Sequence, residues 1–137
     1  MNWWNGSTLV GLALARLTGS ARHPGPYGTI IAERYPLPLP VAPCFVIGDV
    51  IFTRGSARWL LAPEQWPIRR HELRHTEQYA LFGPLFLPIY AAGCAWSYAL
   101  TGHFATRNPL ERSAGLADGG YADLPVRPAL RSLFSNA

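Results

Sequence analysis

His71-Glu72-Leu73-Arg74-His75 decides how this chain is read. Side chains four apart share one face of an α-helix, so both imidazoles can reach one point while Glu72 hangs beside it. A chain of this composition would contain such a match by accident roughly 0.4 % of the time. The neighbouring residues suit a helix. Pro67 fits a first turn, the polar and apolar residues of 68–82 recur with helical period, and Gly83-Pro84 stops the run.

Working outward, residues 84–100 read as a second helix with Gly102 as its stop signal. A third opens at Asn108-Pro109-Leu110-Glu111, where Asn108 can cap and Pro109 takes the first position, and Gly119-Gly120 closes it. The tail, residues 120–137, reads as an extended arm. Upstream, residues 1–19 carry Trp3, Trp4, Leu9, Val10, Leu12, Leu14 and Leu17 and read as a short amphipathic helix. Residues 20–60 are rich in proline and β-type residues. Two apolar runs, 27–32 and 44–52, are expected as strands, with Gly48-Asp49 marking a turn or bulge in the second.

A chain of 137 residues fits one domain with one core. Apolar residues make up 49 % and charged residues 15 %, below the usual quarter, so much of the surface is uncharged and suits a membrane surface or a partner protein. Every basic residue is arginine. They are scattered, with only Arg69, Arg70 and Arg74 close together, which does not form the aromatic-laced stripe of a nucleic-acid binder, so no nucleic acid is expected. Cys44 and Cys94 read as free thiols and are too few for an iron-sulfur cluster. No secretory signal is read, because the first apolar run lacks a basic segment before it; a cytoplasmic protein, able to associate with membranes, is expected. Residues 80–102 hold no charge and are long enough to span a bilayer, but Gly83, Pro84, Pro88 and Gly93 interrupt them. They read as a core helix or a membrane-facing one.

Catalytic zinc takes three protein ligands and keeps a fourth position for a water whose pKa falls towards ~7. His71 and His75 supply two of the three. Glu72 is placed to take the proton from that water and hand it to a leaving amine. The third ligand is drawn from Glu111, His103, Asp118, Asp123 and Glu77. Glu77 lies two positions past His75 and so on another face. Glu111 fits best, since the hydrophobic helix before it can run back antiparallel to the motif helix. His103, in the intervening loop, is the runner-up, or a hydrogen-bond donor to substrate.

With a helical glutamate downstream, His71-Glu72-x-x-His75 resembles the gluzincin branch of zinc metallopeptidases, the thermolysin-like enzymes. There a second helix supplies the glutamate ligand, which corresponds to Glu111. Residues 71–121, with Gly83-Pro84, Pro88-x-Tyr90, Asn108-Pro109-Leu110-Glu111 and Gly119-Gly120-Tyr121, also resemble a family of small uncharacterised bacterial proteins, which brings a pattern but no substrate. The expected fold is α+β, a small zincin-like domain with an N-terminal helix, a short antiparallel hairpin or meander, and three helices carrying the metal site over residues 66–119. The resemblance implies a Zn2+-dependent hydrolase acting on a peptide or protein. Two departures stand out. Gly115 occupies the place of an acidic residue that orients a histidine in thermolysin-like enzymes, leaving Asp118 to substitute, and no second lobe forms a deep cleft. A peptide would then lie along an edge strand, residues 44–52.

The plainer readings are a capping carboxylate for Glu111, a solvated helix face for Arg69, Arg70 and Arg74, and core packing for Tyr90 and Tyr98. The alternative function is a non-catalytic module, membrane-associated or partner-binding, that retains a metal site.

Overall fold

Gly48 folds the apolar run of residues 44–52 back on itself, with φ of +64°. In the computed structural model, which describes residues 1–134, Cys44–Ile47 (β3) therefore pairs antiparallel with Val50–Thr53 (β4), Ile47 opposite Val50. Only glycine serves at position 48. Besides the left-handed φ, an added Cβ would run into the backbone of Ser7 and Thr8.

Ile30–Glu33 (β2) runs parallel to β4, and Ala21–Pro24 (β1) pairs antiparallel with β2, giving a four-stranded sheet of order β1-β2-β4-β3. The α+β class is as the sequence predicts. The sheet, however, is mixed rather than a hairpin or meander, because the proline-rich segment between β2 and β3 crosses over instead of turning back. Arg54 organises that segment. Its guanidinium donates to the carbonyls of Leu37 and Pro40, its Nε donates to Ala42 O at 3.0 Å, and it lies over the ring of Tyr35, whose hydroxyl donates to Leu39 O.

Side chains alternate across this sheet. Ile30, Ala32, Phe45, Ile47, Val50 and Phe52 share one face, and Ser7–Leu17 (α1) covers it with Leu12, Leu14 and Ala15. The helix sits close because Gly11 meets the sheet, where a Cβ would come within 2.5 Å of Ile47 O. The opposite face carries Cys44, Val46, Ile31 and Ile51, all buried. Ala57–Leu61 (α2) packs on β2, and Trp66–Phe82 (α3), starting two residues before the predicted run, packs on β3. Ser56 caps α2, accepting from Trp59 N.

The segment before α1 is tied to both neighbours. Asn2 Nδ2 donates to Asp49 Oδ1 at 2.7 Å and to Thr76 O at 2.9 Å, and Asn5 Nδ2 donates to Tyr79 O at 3.0 Å. Burial works against a charged Asp49, but the Met1 ammonium and the Asn2 backbone and side-chain N–H groups outweigh it and hold the carboxyl below its ordinary value.

The chain divides after Phe86 into two compact units. The second contains nearly all of Phe86–Thr101 (α4), Pro109–Gly115 (α5) and Arg131–Phe134 (α6). Gly93 on α4 leaves room for Asn108, whose side chain caps α5 through Leu110 N and donates to Cys94 Sγ at 3.4 Å. α5 stops at Gly115, φ +97°, ahead of the predicted Gly119-Gly120 stop. The tail is not wholly extended: Pro128–Leu130 forms a 3-10 turn leading into α6, and residues 135–137 lie outside the described residues.

Candidate metal centre

His71, Glu72 and His75 come together on α3 and all three are buried. The two rings meet edge to face, with Nε2 of His71 and Nε2 of His75 3.1 Å apart. Two nitrogens bound to one tetrahedral zinc at ~2.0–2.1 Å stand about 3.3 Å apart, so the pair is already at ligand spacing. His75 Nδ1 lies 2.8 Å from Gln78 Oε1. In the tautomer with the proton on Nδ1, this nitrogen donates to the amide oxygen and Nε2 keeps a lone pair on the His71 side. The ring of Phe86, 5.9 Å away by centroid, packs beside His75, and Tyr79 stacks on Phe86.

Glu72 faces the sheet. Its charge is felt at Cys44 on β3, whose thiol burial and this carboxylate together push up to about 12. β3 is the outer strand of the sheet, whereas β4 is inside it, so of the run 44–52 only Cys44–Ile47 lies at an edge.

Glu111 belongs to the second unit, on the first turn of α5, and is buried. The Tyr90 hydroxyl donates to Glu111 Oε1. Burial and the neighbouring Glu111 charge raise the Tyr90 pKa far above its ordinary value, so the phenol stays a donor and orients the carboxylate. The other sequence candidates for a third ligand are engaged or exposed. His103 Nδ1 accepts from Ala105 N at 3.2 Å while its ring stacks on Phe104, Asp123 pairs with Arg112 at 3.0 Å, Asp118 is half-buried beside Gly115, and Glu77 is exposed.

Gln78 and Tyr90 are the site residues that sequence reasoning missed. Gln78 had a readable signal, being three positions past His75 on the same helix face. Tyr90 had none, because nothing local separates it from the other five tyrosines. In comparisons with protein-family models, curated proteins and solved structures, nothing matches this chain.

Proposed function

We propose that the chain is a zinc-dependent hydrolase, a small metallopeptidase in which His71, His75 and Glu111 hold the ion and Glu72 is the base. The observation that carries this reading is the 3.1 Å convergence of two histidine Nε2 atoms inside a buried helix face, with the outer nitrogen of one fixed by Gln78. The donor set, two imidazoles and a carboxylate, is one that catalytic zinc uses. Tyr90 supports Glu111 as its third member by holding a buried carboxylate in one orientation.

A bound Zn2+ would supply Lewis acidity, polarising a carbonyl and making water acidic at neutral pH. The chain's own residues do the rest. Glu72 takes a proton at its carboxylate and returns it to the departing amine. An extended peptide adds to the outer edge of β3, the strand beside Glu72, through backbone hydrogen bonds.

Elemental analysis tests the ligand set. Wild type and Glu72→Gln should carry about one zinc per chain, while His71→Ala and His75→Ala should carry none. Glu111→Ala should weaken zinc binding much more than Glu77→Ala. Peptide cleavage should stop with chelator and fall about a thousandfold in Glu72→Gln. Stoichiometric zinc in His71→Ala would sink the proposal.

A second reading is favoured by the helical run Pro63–Thr101, which is long and apolar enough by length and composition to cross a membrane, although Gly83 breaks it. Under it the protein is a non-catalytic module, membrane-associated or partner-binding, that keeps the metal. Glu72→Gln would then leave its function intact.

A further inference from the structure

The outer surface of α1 is apolar. Leu9, Val10 and Leu17 are 57, 55 and 84 % exposed, Ala13 lies between them at helical spacing, and Trp3 and Trp4 just before the helix are 50 and 78 % exposed. The helix cannot roll to hide them. Its other side, Ser7, Thr8, Gly11 and Ala15, is buried, and Gly11 seats it against the sheet.

The acidic residues of this unit are sorted by layer, although its arginines lie on both sides, Arg58 on α2 and Arg69, Arg70 and Arg74 on α3 among them. Its acidic residues are Glu33, Asp49, Glu64, Glu72 and Glu77. Glu72 and Glu77 lie on α3, Glu64 in the turn joining α2 to α3, and Glu33 accepts from Ala57 N of α2 at 2.7 Å, on the sheet face away from α1. Asp49 is buried in the turn between β3 and β4. The α1 side thus presents no exposed carboxylate. It does present arginines: Arg16 on α1 itself, and Arg22, which stands opposite Ala32 on β1 and therefore on the α1 face of the sheet.

We propose that the outer face of α1, with Trp3, Trp4, Leu9, Val10 and Leu17, docks on an anionic lipid bilayer, with Arg16 and Arg22 against the headgroups. Leu9, Val10, Leu17 and Arg16 exposed on α1, two exposed tryptophans leading into it and Arg22 on the sheet face beneath, with no acid among them, match the requirements of an interfacial helix: apolar side chains entering the acyl boundary, indoles at headgroup depth and cations on anionic lipid. A soluble partner would need no such one-signed layer. The outer face of α1 lies across the sheet from the histidine pair of α3.

The test is sedimentation of the full chain with vesicles of phosphatidylcholine alone or with 30 mol % phosphatidylglycerol. Binding is expected to the anionic vesicles, at least tenfold weaker to neutral ones, and weakened by salt. Trp4→Ala/Leu17→Gln should lower it tenfold or more, and Arg16→Gln/Arg22→Gln should remove the preference for phosphatidylglycerol. Both changes are at exposed positions, and an unchanged circular dichroism spectrum and zinc content will show that the fold stands. Equal binding to both vesicles, binding untouched by the α1 variants, or concentration-dependent dimers through this face in lipid-free ultracentrifugation would each overturn the proposal. Zinc stoichiometry in His71→Ala reports on the hydrolase reading alone, so the two can fail separately.

Discussion

Two of the helices packed on the sheet, α1 and α3, break the same rule in opposite directions. α3 turns ionisable residues inward, burying His71, Glu72 and His75 with Thr76 and Tyr79, whereas α1 turns leucine, valine and tryptophan neighbours outward. Neither choice favours stability by itself. A buried imidazole or carboxylate loses hydration, and an exposed Leu forgoes the ~1.5–3 kcal/mol that burial would bring. A helix that only had to close the core would carry the reverse pattern on both counts. On the reading proposed above, the α3 side of the sheet carries the chemistry and the α1 side the contact with surroundings.

The largest effect expected from this contrast is on Cys44. With its pKa pushed from 9.0 to about 12, the thiol should be alkylated about a thousandfold more slowly at pH 8 than in the unfolded chain. Peptide-level mass spectrometry after iodoacetamide reads this; labelling at the unfolded rate would mean that Cys44 is not buried beneath α3. Forcing α1 off the sheet comes next. Gly11→Leu should cost about 3 kcal/mol by urea denaturation, since its side chain would meet Ile47 O and Val50, and a neutral result would mean that the helix is not seated there.

Gln78→Leu sharpens the inward half of the comparison. It removes the acceptor of His75 Nδ1 and should weaken zinc binding about 10- to 100-fold while leaving the fold intact, as competition with a chromophoric chelator would measure. Asp49→Asn should cost roughly 1–3 kcal/mol at pH 7. The Asp49 carboxyl lies below its ordinary 3.8 in the folded chain, so its contribution is complete above that value and is lost as pH falls through the folded pKa. Wild type and variant should therefore converge in urea melts below pH 3.8. The smallest effect is Leu17→Gln, within about 0.5 kcal/mol of wild type in the same assay, because an 84 % exposed side chain contributes little to folding.

What the sequence made legible was local. The His71–His75 spacing, the stop at Gly83 and the Asn108-Pro109 cap each depend on residues within one or two turns, and each stands where the pattern puts it. The parallel pairing of β2 with β4 was not legible, because it joins strands about twenty residues apart through a segment whose prolines look merely extended. The short strand β1 was hidden by its polar residues, Arg22 and His23, which suit an exposed edge. Glu111 could be nominated from its cap-adjacent position. That Tyr90 holds it depends on a hydrogen bond across twenty-one residues, which no periodicity encodes.

Apart from the ring of Tyr35, Arg54 grips the proline-rich crossover through main-chain oxygens of Leu37, Pro40 and Ala42 rather than through side chains. Recognition of that kind ignores what the loop residues are and depends only on where their carbonyls point. Exposed positions such as Leu37, Leu39 and Val41 are thereby open to replacement during evolution or engineering, while the single guanidinium that gathers them is not.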